Sequence, residues 1–180
     1  MNPTAWDSNL HHDTLPVMKD HSTHWTAYCD GSSPTGNRGG WAYWRTGMSP
    51  VAGPVVVNPE LPAYIGARRP NAVACEHTAL YELLNDVHAN RPATLQALQV
   101  FVDAAHTVKS VEGIEPCRQE PALVWNVQQL LESLRKDITV QIQWIEGHSG
   151  IPGNEVADYF AGEAAKGKYY NLPHNYTTVP

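Results

Sequence analysis

Four carboxylates fall where an apolar pattern ends or changes period: Asp30 in YCDGSSPTGNRGGWAYW, Glu76 in VACEHTALYELL, Asp103 in QVFVDAAHTVKS and Asp158 in GNEVADYFAGEAA. Acids gathered in a folded interior repel one another and couple their ionisation unless something compensates them. The natural compensator is a hard divalent cation with oxygen ligands, and Mg²⁺ is usually held by a few carboxylates together with water and substrate phosphate. Two such ions about 3.5–4 Å apart are the recurring device for in-line attack on a phosphodiester. The four acids therefore read together as an acidic metal-binding centre.

The elements that must position them can be read around each acid. Asp30 follows the aromatic and β-leaning run Trp25 to Cys29 and precedes a turn-forming stretch of Gly, Ser, Pro, Thr and Asn, which makes it a strand-end acid. Asp103 repeats the arrangement after Leu98, Val100 and Val102. Glu76 lies one turn before Leu80 on a helix expected over about 72–89, whose stripe is Leu80, Leu83, Leu84 and Val87. Asp158 belongs to a helix from about Pro152, where Val156, Phe160 and Ala164 are the expected apolar face and Glu155 and Asp158 share another, near the positive N-terminal end. Each acid alone would read as a turn residue, a cap or a dipole partner. Their combination points to chemistry.

Further strands are expected at 40–45, 55–57 and 139–145, the last with Val140, Ile142 and Trp144 on its buried face, and a further helix at about 123–136. Three early strands joined by short turns suggest an antiparallel unit, and later strands separated by helices suggest parallel crossovers. The expected architecture is α/β, a mixed five-stranded sheet flanked by helices. Residues 1–22 and 167–180 read as tails around a domain at 23–166. His11, His12, His21 and His24 are read as residues of a solvated tail rather than as a transition-metal site.

The chain has 180 residues, 42% of them hydrophobic, enough for one domain with a substantial core. No apolar run reaches membrane-spanning length, and the N-terminus lacks the basic-then-apolar pattern of a secretion signal. An intracellular, cytoplasmic or nuclear, free-standing monomer is expected. Cys29, Cys75 and Cys117 make neither a disulfide framework nor a four-cysteine zinc site. A net charge of −6 with only 12 Lys and Arg works against affinity for nucleic acid, which comes from neutralised phosphates. Two divalent ions at the acids would offset part of that charge. Arg38, Arg68, Arg69 and Lys109 are the candidate phosphate contacts, and affinity is expected to be modest and salt-sensitive.

From about Trp25 to Lys166 the chain resembles type 1 ribonuclease H, most specifically in WIEGHSGIPGNEVADYFAGEAA, where a strand ends in Gly-His, a glycine-bearing loop follows and Asn-Glu-x-x-Asp opens a helix. It is most similar to the domains attached to retroelement reverse transcriptases. The resemblance implies endonucleolytic hydrolysis of the RNA strand of an RNA/DNA hybrid, leaving 5′-phosphate and 3′-hydroxyl ends. It implies two Mg²⁺ ions, replaceable by Mn²⁺, held by Asp30, Glu76, Asp103 and Asp158. His148 matches a mobile-loop histidine that helps protonate or release product, and Glu155 a nearby assisting acid. Association with a reverse transcriptase or polymerase is a further implication.

Three departures stand out. Ala104 replaces the hydroxyl usual after the third acid, Asn71-Ala72-Val73 replaces an asparagine run that touches the hybrid, and EGIEPCRQEPALVWN replaces the basic helix and loop of some cellular members. A DNA-directed nuclease on the same fold and a non-catalytic hybrid-binding module are the alternative readings, because fold alone does not fix the substrate.

Overall fold

Short polar turns divide the chain after Thr23 into β1 (His24–Ser32), β2 (Gly40–Arg45) and β3 (Val51–Pro54), paired antiparallel in sequence. The computed structural model describes residues 23–176. Beyond the antiparallel unit come α1 (Ala72–Asn90), β4 (Ala97–Val102), α2 (Ala105–Val111), α3 (Pro121–Leu134), β5 (Thr139–Trp144) and α4 (Pro152–Ala165). β4 pairs parallel with β1, and β5 parallel with β4, which gives the order β3-β2-β1-β4-β5. The expected mixed five-stranded sheet is present.

Side-chain alternation along β1 divides the core. Ala27 and Cys29 join the main apolar cluster with α1, α2 and α3, whereas Tyr28 joins Phe101, Ile145 and Ala157 under α4. Central β4 is buried along its whole length, as expected for a parallel strand covered on both faces.

The start of α1 is fixed by a small polar clamp. The Asn71 side chain caps the helix by accepting from the Ala74 N–H at 2.8 Å, and its amide donates to Glu120 at 2.9 Å. The other Glu120 oxygen accepts from the Arg68 N–H at 2.8 Å. Both ends of the Asn71 amide are thus committed to the fold. Pro92, just past the last turn, cannot continue the helix.

Several local expectations need correction. The third strand is Val51–Pro54 rather than 55–57, although the Val55 N–H still donates to the Gly39 carbonyl at 2.9 Å. Val55 and Val56 are nevertheless buried. Trp144 does not share the buried face of Val140 and Ile142: it is 40% exposed, and its indole N–H donates to the Asp103 carbonyl at 2.8 Å. Asp30 lies within β1 and pairs with Ala42 rather than following the strand.

The buried stripe of α4 is also offset from the expected one, running through Gly153, Asn154, Ala157, Ala161, Ala164 and Ala165, with Val156 and Phe160 only partly covered. Small residues are required because the helix lies close on β2. A Cβ on Gly40 would stand 2.3 Å from the Ala165 nitrogen.

Residues 167–176, expected to be a tail, pack on the domain. Tyr170 and Ala52 exchange two backbone hydrogen bonds of 2.9 Å, and a short 3₁₀ turn at His174–Tyr176 buries the Tyr176 ring 5.4 Å from that of Trp41. Isolated aromatics among polar residues leave no periodicity to mark such packing. The readings made of residues 1–22 and 177–180, including His11, His12 and His21, lie outside the described residues.

Candidate active site

Parallel register places the first two acids side by side. The last paired residues of β1 and β4 are Cys29 and Val102, so Asp30 and Asp103 stand one step further at the same end of the sheet. Glu76 reaches them from the first turns of α1, which lies so close that a Cβ on Gly31 would meet the Glu76 nitrogen at 2.3 Å. Only glycine permits that approach. Asp30, Glu76 and Asp103 thereby present ligand oxygens all within 4.8 Å of one another.

The trio is electrostatically costly without a counter-charge. Asp30 is 5% exposed and its carboxyl is pushed up to about 7, chiefly by burial and then by Asp103, while the Gly31 N–H at 2.7 Å opposes the shift. Glu76 is pushed well above the usual range by burial, then by the charges of Asp30 and Asp103. One Glu76 oxygen, Oε2, is buried without a hydrogen-bond partner. A buried acceptor in that state is costly, and a hard cation among oxygen donors satisfies it. The donor set therefore fits a divalent ion.

Asp158 falls outside this tight trio. Its carboxylate groups with His148 and Glu155, again within 4.8 Å, and lies 3.8 Å from His148 Nδ1. Its charge nevertheless contributes to raising Asp30. The six expected site residues thus form two adjoining groups: a buried one on the sheet end and a more open one at the start of α4. His148 is exposed and takes a left-handed backbone with φ 53°, in a loop tied by the Ser149 hydroxyl to the Glu146 carbonyl and by the Gly150 N–H to Glu155.

One site residue escaped the sequence reading. Asn154, 1% exposed, donates its side-chain N–H to Asp103 Oδ2 at 3.0 Å and leaves its own Oδ1 buried without a partner. The signal was present in its spacing with Ala157 and Ala161, which puts a polar residue on the buried stripe of α4.

The cysteines near the acids are poor nucleophiles. Burial, followed by the Glu76 charge, pushes the Cys75 thiol up to about 12 and Cys29 well above its ordinary value.

The sheet order, the helices on both faces and acids at the shared end of the two central strands define a ribonuclease H-like fold with an acidic centre. The RNase H family model matches residues 22–166, and the chain belongs to that family. It is an enzyme of the ribonuclease H class. A protein named Ribonuclease H from Anaeromyxobacter dehalogenans (strain 2CP-C) is 28% identical over 158 residues, covering 78% of this chain and 79% of that protein. The N-terminal RNase H domain of a Mycobacterium tuberculosis protein, solved as a fusion with maltose-binding protein, has a similar fold: TM-score 0.59, 17% identity, 81% of this chain and 95% of that one. RNase H1 from the halophilic archaeon Halobacterium salinarum NRC-1 is similar at TM-score 0.56 and 19% identity, covering 81% and 99% of the two chains. No helix among the described residues is long and apolar enough to cross a membrane.

Proposed function

We propose that this chain is an endonuclease that hydrolyses the RNA strand of RNA/DNA hybrids with two divalent ions, Mg²⁺ or Mn²⁺, held by Asp30, Glu76, Asp103 and Asp158. The observation that carries the reading is the convergence of Asp30, Glu76 and Asp103 from three elements, one of the Glu76 oxygens being buried without a partner. Bound divalent ions supply Lewis-acid activation of water and offset charge on the phosphodiester.

The chain's own residues prepare that chemistry. The Gly31 N–H holds one Asp30 oxygen and Asn154 holds one Asp103 oxygen, so both carboxylates are oriented before substrate arrives. A bound cation favours the ionised form of these acids, since ligating carboxylates are deprotonated, and so opposes the upward push on Asp30 and Glu76. With the neighbouring thiols held protonated, attack falls to water, and in-line displacement of the 3′ oxygen leaves 5′-phosphate and 3′-hydroxyl ends. His148, exposed beside Asp158 and Glu155, is placed to deliver a proton to the departing oxygen and to help release product.

The connection from α2 to α3, residues 112–120, has no room for a basic helix and loop. That supports kinship with reverse-transcriptase-attached domains and, with it, work beside a polymerase.

The test is incubation of labelled RNA/DNA, RNA/RNA and DNA/DNA duplexes with Mg²⁺, Mn²⁺ or chelator. Metal-dependent cutting confined to the RNA of the hybrid is expected. Efficient cutting of DNA/DNA would favour a DNA-directed nuclease, and hybrid binding without cleavage a non-catalytic module.

A further inference from the structure

A second cleft, of mixed polar and apolar lining and sharing no residue with the acidic centre, lies between α1, the turn from β2 to β3 and the C-terminal segment. Its volume is about 580 Å³, within the range of small-ligand sites. Glu82 lines it and is 1% exposed. The Tyr176 hydroxyl donates to Glu82 Oε1 at 2.8 Å, but Oε2 is buried with no partner. An ionised Glu82 lacks a donor there, and a protonated one lacks an acceptor; either state is costly.

One helical turn further, Asp86 also lines the cleft. Its carboxylate is held by the Asn90 amide at 2.8 Å and by the Tyr43 hydroxyl. Among the described residues no Lys or Arg lines the cleft, whereas Met48, Val51, Ala89 and Pro173 give it an apolar wall. A hydrated metal ion makes no use of such a wall. A cationic donor on a short methylene stem uses both parts.

We infer that this cleft binds an alkylammonium or guanidinium group, with Glu82 Oε2 and Asp86 receiving its N–H donors and the stem lying on the Met48 and Pro173 side. The group arrives either on a small free amine or on a lysine or arginine side chain of a peptide. The inference is independent of the nuclease reading. Burial pushes Glu82 up to about 7. Capture of a cation ionises it and releases a proton, so affinity rises with pH between about 6 and 8. The groups facing Glu82 are Asp86 and Tyr81 of α1, Tyr43 of β2, and Tyr176 and His174 of the C-terminal segment.

Thermal shift and calorimetry on the full chain test this with n-butylammonium, n-butylguanidinium, 1-butanol and Mg²⁺. Saturable 1:1 binding of either organic cation, with proton release at pH 6.5 and no comparable effect of butanol or Mg²⁺, is expected. Asp86→Asn and Glu82→Gln should each weaken that binding at least tenfold. Asp86 is only half-buried, so Asp86→Asn decides the matter if Glu82→Gln does not fold. The peptides Gly-Lys-Gly and Gly-Arg-Gly separate the sources: tighter binding than the free amines identifies a protein side chain, weaker binding a small amine. Equal shifts from butanol or Mg²⁺, no saturable cation binding, or undiminished binding in Asp86→Asn would overturn the proposal.

Discussion

Asn154 on α4 donates to Asp103 Oδ2 across 3.0 Å, joining the helix that carries Asp158 to the end of strand β4. The bond restrains the Asp103 carboxylate at the edge of the buried trio. It also gives α4 a polar anchor beside the small residues Gly153, Ala157 and Ala161.

Asn154→Ala should therefore lower hybrid cleavage about 10–100-fold, the usual loss when a group that orients a ligand is removed. The apparent affinity for Mg²⁺ should weaken with it. Asn154→Asp should be worse, because it adds a like charge beside Asp103. Metal titrations of cleavage rate, with circular dichroism as a folding control, provide the check. Wild-type metal dependence in Asn154→Ala would reduce the contact to packing alone.

Asp103→Asn should nearly abolish cleavage yet leave the apo protein as stable as wild type or more so. The change preserves shape while removing one of the charges that raise Asp30 and Glu76. Rate measurements and thermal melts in chelator decide it. Undiminished cleavage by a folded variant would remove Asp103 from the site.

The stability of the metal-free protein should fall as pH rises from about 4 to about 7. Asp30 is raised in the folded state from 3.8 to about 7, and Glu82 from 4.5 to about 7, so between those limits these two acids hold more protons in the native state than in the unfolded chain, against the opposing loss at buried His77, lowered from 6.5 to about 4. Stability is then greatest below the unfolded values and is lost as pH approaches the folded ones; each pKa unit is worth about 1.4 kcal/mol. Melts in chelator across this range should slope downward, and Asp30→Asn should flatten part of the slope. Saturating Mg²⁺ should stabilise most near neutrality. A flat profile in chelator would contradict the burial of these acids.

Strand ends and the first helix were legible because the chemistry coincides with a change of period. Leu98, Val100 and Val102 alternate up to Asp103, and the α1 stripe starts one turn beyond Glu76. The α4 face was misread because hydrophobicity singles out Val156 and Phe160, whereas close approach to β2 selects for small size at Ala157 and Ala161. Asn154 and Trp144 were missed for a related reason. Each departs from its local pattern to hydrogen-bond Asp103, a partner far away in sequence. The buried Tyr176 depends on Trp41 and Glu82 in the same way.

Tyr176→Ala should destabilise the protein by about 3–5 kcal/mol, as for other buried aromatic truncations. It removes a ring that is 2% exposed and leaves Glu82 without its donor. Tyr176→Phe keeps the ring and should cost about 1–3 kcal/mol for the unsatisfied carboxyl. Urea unfolding of both variants measures the difference. Wild-type stability in Tyr176→Ala would show that residues 167–176 are dispensable to the domain.

Hybrid binding should have a shallow salt dependence. Five of the eleven lysines and arginines among the described residues are already engaged with acids: Arg91 with Asp137, Lys109 with Glu115, Arg135 with Glu112, and Lys166 and Lys168 with Glu163. Lys109, one of the expected phosphate contacts, is thereby partly satisfied. Arg38, Arg68 and Arg69 stand exposed. The Ser33 hydroxyl, donating to the Pro70 carbonyl at 2.6 Å, ties the turn bearing Arg38 to the loop bearing Arg68 and Arg69, beside Asp30 and Glu76. About three phosphate contacts correspond to a log–log slope near −3. Arg69→Ala should reduce it by about 1 while weakening binding to all hybrid sequences alike. Fluorescence anisotropy with a catalytically inactive Asp103→Asn background, from low to moderate salt, reads both quantities. A slope of about −6 or steeper would mean that phosphate contacts extend well beyond these arginines.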